Sequence, residues 1–198
     1  GLHFKVFRYN SKDSATLSSN LIISMAFDKR NQLWIEHESH AIDCMDPVIE
    51  SITRVTDKPL FRSHPVSFIR RGWLADAAGN FYCIEKSNGL YKYNWTDQKV
   101  SHYSTNTSGL ISDSIRGLAE DKQKNIWILS QRFLSRLDPA RGTFEHVPIP
   151  FTLAIGNYDI PSPDIISIYQ RANGEIMFGD RHQLIIYNPS QKKFRKIP

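Results

Sequence analysis

An internal repeat constrains the fold of this chain more than any other feature of its sequence. The same interval separates Leu17 from Leu110, Asp28 from Asp121 and Trp34 from Trp127. Two weaker copies place Tyr82 and Met177 at the position of the tryptophan. Equivalent positions therefore recur every ~45–50 residues, a period typical of stacked supersecondary units. The sequence predicts four such units.

Each copy predicts four short strands. In the first copy an apolar run at 21–27 is followed by a polar turn at 28–31 and a second apolar run at 33–35. Residues 143–147 illustrate the alternating fourth strand. β-branched and aromatic residues dominate these runs, and no helical periodicity competes with them. Buried inner strands and half-exposed outer strands predict an all-β protein, a β-propeller of four four-stranded antiparallel blades.

The repeat also divides the chain into domains. We expect blades at 10–56, 57–104, 105–148 and 149–198, and we interpret residues 1–9 as the outer strand of a preceding blade. Because the last blade has its own outer strand at 193–197, this extra strand predicts a fragment of a larger, about seven-bladed propeller. Unpaired strand edges favour association, so a homodimer is a further hypothesis.

The repeated residues resemble the two-component regulator propeller repeat. The motif is carried best by residues 109–113 (Gly-Leu-Ile-Ser-Asp) and 126–128 (Ile-Trp-Ile). The resemblance covers all four copies, although the second and fourth are degenerate. The Gly-Thr pair that follows Trp-Ile in the family is replaced by residues 36–37 (Glu-His) in the first copy and by 129–130 (Leu-Ser) in the third.

This resemblance implies a function. Repeats of the family build the periplasmic sensor domains of hybrid histidine kinases in anaerobes that degrade polysaccharides. It implies a non-catalytic, ligand-sensing segment that responds to oligosaccharides and signals to a kinase outside this chain. The remaining blades would be partners, and the membrane would be reached only through segments absent here. Two alternatives stay open: a propeller-type polysaccharide lyase or hydrolase, and a protein-interaction scaffold.

Polar loops between the second and third strands are the candidate ligand site. Function tends to lie in loops that a rigid scaffold carries, and glycans need hydrogen-bonding groups beside an aromatic face. Ordinary solvated loops are the alternative. The candidate residues in these loops are Glu36, His37, His40, Glu85, Lys86, Gln131, Arg132, Asp180 and Arg181.

Arginines on the innermost strands form a second candidate group. Arg70 and Arg71 lie in a predicted first strand, and Arg116 occupies the position equivalent to Arg71 in the next blade. Arg71 and Arg116 could bind a carboxylate from a central channel. They could equally pair with acidic neighbours such as Glu120 or with water.

The remaining polar residues favour no catalytic, metal or cofactor site. The His and Glu residues at 36–40 lack the helical spacing of a His-Glu-x-x-His zinc site. Asp28, Asp76 and Asp121 recur at one position, which predicts turns held by side-chain-to-backbone hydrogen bonds. Cys44 and Cys83 could form a disulfide, although buried free thiols fit better. A net charge of +5 with scattered basic residues gives little support to nucleic-acid binding.

Overall fold

The computed structural model describes residues 4–65, 68–151, 167–179 and 183–197, with the backbone alone at 68–71. These residues form four antiparallel four-stranded sheets, each built from consecutive strands in sequence order. The predicted all-β class is therefore confirmed.

The first two sheets contain eight strands. Sheet 1 consists of β1 Ile22–Phe27, β2 Leu33–His37, β3 Ile42–Asp46 and β4 Ser51–Arg54. Sheet 2 consists of β5 Phe68–Ala75, β6 Phe81–Glu85, β7 Gly89–Asn94 and β8 Lys99–Tyr103.

The other two sheets complete the set. Sheet 3 consists of β9 Ile115–Glu120, β10 Ile126–Ser130, β11 Phe133–Asp138 and β12 Thr143–Pro148. Sheet 4 consists of β13 Ile168–Gln170, β14 Ile176–Gly179, β15 Leu184–Asn188 and β16 Lys193–Ile197. The blade boundaries between the sheets stay predictions.

One connection contains helical structure that the sequence pattern did not predict. A 3-10 turn, Val55–Asp57, and the short helix α1, Pro59–Ser63, follow β4. Pro59 occupies the first helical position. An N–H at this position would have no partner within the helix, so proline, which lacks one, is well tolerated there. Five residues are too few to produce a recognisable helical period.

The segment before β1 forms no strand among its described residues. Residues 4–8 are irregular, and Tyr9 makes a single parallel bridge to Leu17. The assignment of 1–9 to a preceding blade stays a prediction, because the sheet it would join is not part of this chain.

The chain divides into two compact units. The first contains Gly1–Val66, Ala75–Asn80 and Tyr93–Val100, and the second contains Ser67–Leu74, Phe81–Lys92 and Ser101–Pro198. In the second unit the first strands of sheets 3 and 4, β9 and β13, are neighbours. Among the described residues of this unit, one apolar cluster surrounds Trp127 and Phe178 and another surrounds Tyr82 and Ile128.

In sheets 1 to 3 the second strands are the most deeply buried elements, as expected. Every side chain of β10 is buried, and so are four of the five in β2 and in β6. The expectation that first strands are buried on both faces is wrong for β1. Met25 and Phe27 are 58% and 60% exposed, whereas β9, which is also the end strand of its sheet, alternates buried and half-buried side chains.

The recurring aspartates hold the turns between first and second strands, which confirms that prediction. Asp28 Oδ1 accepts the backbone N–H groups of Arg30 and Gln32, each at 2.9 Å. Asp76 Oδ1 accepts those of Ala78 and Asn80 at 2.9 and 2.8 Å. Each carboxylate therefore satisfies backbone donors that the turn would otherwise leave unpaired.

The aspartate also anchors the tryptophan of the following strand. The indole N–H of Trp34 donates to Asp28 Oδ2 at 3.1 Å, and that of Trp127 donates to Asp121 Oδ2 at 3.0 Å. Trp127 is 3% exposed. Its ring packs edge-on against Tyr187. The turn and the core are thus joined at one residue.

Replacing Trp127 tests this coupling. We expect Trp127→Ala to lower the free energy of unfolding by about 3–5 kcal/mol, since it removes a buried ring and leaves a cavity. Trp127→Phe, which keeps most of the buried area but loses the hydrogen bond to Asp121, should cost about 1–2 kcal/mol. Urea denaturation followed by circular dichroism measures both. A Trp127→Phe variant as stable as the parent chain would contradict the coupling.

Candidate functional site

Two predicted site residues belong to the interior of sheet 1. Glu36 and His37 lie in β2 and are fully buried, so their assignment to a solvated loop is wrong. His37 Nε2 lies 2.7 Å from Asp43 Oδ2, and the same oxygen accepts the backbone N–H of Ser18 at 2.7 Å. The β2–β3 turn begins later than expected because the strand continues to His37. The His37–Asp43 pair fastens the segment before β1 to β3.

The other predicted residues are more accessible or lie outside the described part. His40, Lys86, Gln131 and Arg132 are exposed, and Glu85 and Arg116 are half-buried. The Nε of Arg116 is buried and has no hydrogen-bond partner among the described residues. The side chain of Arg71 and residues Asp180 and Arg181 lie outside the described part of the chain. The ligand-binding roles of all these residues stay predictions.

A cavity in the second unit brings two of the predicted residues together. Its volume is about 370 Å³, and we call it the Arg132 cavity. It is lined by Gln131, Arg132, Phe133, Pro148, Ile149, Pro150 and Phe151. Gln131 and Arg132 come from the β10–β11 turn, and Phe133 begins β11. The others come from the end of β12 and the connection that follows.

Backbone hydrogen bonds fix the walls of the Arg132 cavity. The N–H of Ile149 donates to the carbonyl of Arg132 at 2.9 Å. The hydroxyl of Ser130 donates to the carbonyl of Phe133 and accepts its N–H, at 3.1 and 3.2 Å. Phe151 packs edge-on against Phe194. The cavity therefore presents an amide and a guanidinium on a braced turn, beside an apolar wall.

A larger cavity lies in the first unit, on residues that the sequence analysis did not assign to a site. Its volume is about 470 Å³, and we call it the Trp95 cavity. It is lined by Arg30, Gln32, Trp34, Cys44, Thr53, Val55, Lys58, Pro59, Leu60, Gly79, Trp95 and Gln98. One signal was available: Trp95 is a tryptophan outside the repeat. The helical connection that contributes Val55, Lys58, Pro59 and Leu60 to the lining left no pattern.

Asp28 controls the electrostatics of the Trp95 cavity without lining it. Its Oδ2 accepts Nε and Nη2 of Arg30 at 3.2 and 2.9 Å. Burial disfavours the charged carboxylate, but hydrogen bonds from Gln32, Trp34 and Arg30 outweigh burial and lower the pKa of Asp28 below its usual value. Asp28 is therefore ionised at neutral pH and holds the guanidinium in place.

The two cysteines are both free. Cys83 is fully buried. Cys44 is half-buried and lines the Trp95 cavity. Burial, together with the negative charge of Asp28, raises the pKa of the Cys44 thiol to about 11. Its thiol is thus protonated at neutral pH.

Other kinds of site find no support among the described residues. No group of three or more His, Cys, Asp or Glu side chains in residues 4–65, 68–151, 167–179 and 183–197 is placed to hold a metal ion. Within the same ranges, no helix has the length and apolar character that crossing a membrane requires.

The third copy of the repeat matches a known family. Residues 109–132 match the sequence description of the two component regulator propeller. The match confirms the resemblance, and it covers Asp121 and Trp127 together with Gln131 and Arg132. Comparison with curated proteins gave no match.

Solved structures show the fold to be that of a propeller. The extracellular domain of a protein described as a hybrid two component system from B. thetaiotaomicron is 20% identical with a TM-score of 0.65, over 98% of this chain and 24% of that one. The extracellular domain of a protein described as a one component system from the same organism is 19% identical with a TM-score of 0.60. The similarity covers 93% of this chain and 24% of that one. Virginiamycin B lyase from Staphylococcus aureus is 14% identical with a TM-score of 0.57, over 89% and 56%.

The similarity covers most of this chain but only part of each of the three structures. This chain spans about a quarter of the length of the two extracellular domains and about half of the lyase. At such low identity the similarity establishes the fold alone.

The role of Asp28 predicts a pH dependence. Because its pKa is lower in the folded than in the unfolded chain, Asp28 stabilises the fold above about pH 4, and this contribution disappears as the pH falls through the folded pKa. Asp28→Asn should therefore be less stable than the parent chain by about 1–2 kcal/mol at neutral pH. The difference should shrink below pH 4. Urea titrations of both proteins from pH 3 to pH 7 measure it, and a difference that stays constant over this range would contradict the assignment.

The raised pKa of Cys44 predicts slow, pH-dependent alkylation. Since the thiolate is the reactive form, the rate with iodoacetamide should rise about tenfold per pH unit between pH 8 and pH 10. Cys83 should stay unmodified in the folded protein because it is fully buried. Peptide mass spectrometry measures both sites, and Cys44→Ser serves as the control. A Cys44 rate that levels off below pH 9 would contradict the prediction.

Proposed function

We propose that this chain is a non-catalytic, ligand-sensing segment of a periplasmic two-component sensor that responds to polysaccharide-derived oligosaccharides. The single observation that carries the proposal is the match of residues 109–132 to the two component regulator propeller. The matched residues include Gln131 and Arg132, which line a cavity. The extracellular origin of the structures with the same fold supports a periplasmic location.

The Arg132 cavity has the chemistry that such a ligand needs. Sugar hydroxyls pair with amide and guanidinium groups, and the apolar faces of sugar rings pack on aromatic side chains. Gln131 and Arg132 supply the polar groups, and Phe133 and Phe151 supply the rings. Neither Gln131 nor Arg132 uses its side chain to bond to another described residue, so both are available to a ligand.

Signalling would require parts outside this chain. Ligand binding would change the packing of this segment against the remaining blades or against a second copy, and the change would pass to a kinase elsewhere in the protein. The exposed side chains of β1, among them Met25 and Phe27, offer an apolar edge for such contacts.

An enzyme is the second candidate, because virginiamycin B lyase shares the fold. A sensor should bind an oligosaccharide and leave it intact, whereas an enzyme should convert it to product. The third candidate, a protein-interaction scaffold, would show no affinity for sugars.

Substitutions in the Arg132 cavity test the proposal. Calorimetry of the chain against a panel of oligosaccharides should identify a ligand, and product analysis should find it intact. Arg132→Gln and Gln131→Ala should each weaken binding by about tenfold or more, since each removes direct hydrogen bonds to the ligand.

The matched control is Arg141→Gln. Arg141 is 80% exposed in the β11–β12 turn and lies outside the cavity. Its substitution should leave the affinity unchanged. Cleavage of the ligand would establish an enzyme instead. A ligand bound equally well by all four proteins would place the site elsewhere.

A further inference from the structure

The indole of Trp95, which lines the Trp95 cavity, is the end of an aromatic stack. Phe61 of α1 lies on Tyr93 of β7 with ring centroids 4.7 Å apart, and Tyr93 lies on Trp95 at 5.7 Å. Phe61 and Tyr93 are buried, and the hydroxyl of Tyr93 donates to the carbonyl of His64. The half-buried indole of Trp95 thus packs against a pair of buried rings. A flat, braced indole is well suited to bind another ring.

A second wall is cationic. Arg30 uses Nε and Nη2 to bind Asp28, which leaves the N–H groups of Nη1 without a carboxylate partner among the described residues. Lys58 is exposed, and its ammonium pairs with no described residue. No Asp or Glu lines this cavity. Asp28 balances the charge of Arg30 from behind the lining, so the ammonium of Lys58 and the N–H groups of Arg30 Nη1 are the cationic groups left for a ligand.

The position of Arg30 depends on a glycine. Gly79, in the β5–β6 turn, has a φ of +84°, a conformation that side chains other than hydrogen rarely allow. A Cβ at this residue would lie 2.2 Å from Nη1 of Arg30. The guanidinium therefore occupies the space that the missing side chain leaves. Asp28 therefore orients the guanidinium before any ligand arrives, and Gly79 leaves the space that it occupies.

We propose that the Trp95 cavity binds a small acidic ring compound. Its ring lies on Trp95, and its carboxylate pairs with Nη1 of Arg30 and with Lys58. Charge-assisted bonds to a preorganised guanidinium are the strongest that such a ligand can form. Gln32, Gln98 and Thr53 supply hydrogen-bonding groups for ring substituents. A cavity of about 470 Å³ suits one or two rings.

This site is independent of the proposed function. It lies in the first unit, whereas the Arg132 cavity lies in the second, and the two share no residue. An acidic sugar and an aromatic acid both have the required chemistry, so the test includes one of each.

Calorimetry of the whole chain with glucuronate, glucose and benzoate tests the proposal. We expect at least one of the acids to bind with a Kd of about 1 mM or lower, and glucose to bind at least about tenfold more weakly. Binding of glucuronate alone identifies the ligand as an acidic sugar, and binding of benzoate alone identifies it as an aromatic acid. No binding of either acid at about 10 mM, or equal binding of glucose, overturns the proposal.

Variants then locate the site. Lys58→Gln and Arg30→Gln should each weaken binding of the acid by about tenfold. Lys58 is exposed, so its variant should fold even if loss of Arg30 destabilises the chain. Lys12→Gln, an equal change of charge on an exposed loop outside the cavity, should have no effect. An affinity that is unchanged in Lys58→Gln and Arg30→Gln overturns the assignment.

Cys44 provides a readout that does not depend on calorimetry. Because its thiol lines the cavity, bound acid should slow its alkylation at pH 9 at least about tenfold in the parent chain, and much less in Lys58→Gln. Arg132→Gln should leave this protection intact, so a failure of the proposed function and a failure of this inference are distinguishable. Absence of protection at saturating acid overturns the proposal.

Discussion

The structure depends on one recurring interaction, the carboxylate that closes the turn between the first and second strands. Asp121 accepts the backbone N–H of Asn125 at 2.8 Å and the indole N–H of Trp127 at 3.0 Å. A tight turn and a buried indole each contain donors that would be costly to leave unpaired. One side chain satisfies both, so the geometry of the turn and the packing of the next strand cannot vary separately.

The fourth copy shows that the interaction matters more than the residue. Arg171 occupies the position of the aspartate, and Glu175, four residues on, occupies that of Asn125. Their side chains pair at 2.6 Å, and Arg195 adds a second contact to Glu175. Hydrogen bonds from Asn173, followed by the charge of Arg195, outweigh desolvation and lower the pKa of Glu175. The carboxylate has moved from the first position of the turn to the last, yet the backbone hydrogen bond from the N–H of Arg171 to the carbonyl of Glu175 remains.

The repeat explains why the fold could be predicted and the sites only partly. Periodic residues such as Asp28 and Trp127 report a constraint that every copy shares, so the four sheets and the aspartate turns follow from the sequence. Glu36 and His37 were misplaced because a polar pair after Trp-Ile has the composition of a loop, whereas the strand continues and Asp43 pairs with His37. Within the described part of the chain, helix α1 occurs in a single connection, and a feature that occurs once there has no period to reveal it.

The Trp95 cavity lies where the chain departs from the repeat. The Trp95 cavity needs α1, the out-of-register Trp95 and the glycine that accommodates Arg30. Yet Arg30 is held by Asp28, the same carboxylate that closes the turn and anchors Trp34. The repeat therefore supplies an arginine whose orientation is already fixed, so that little side-chain entropy is lost when a ligand binds. The neighbouring residues that depart from the repeat complete the binding surface. A change at Arg30 should alter binding with little effect on the turn, whereas a change at Asp28 should alter both.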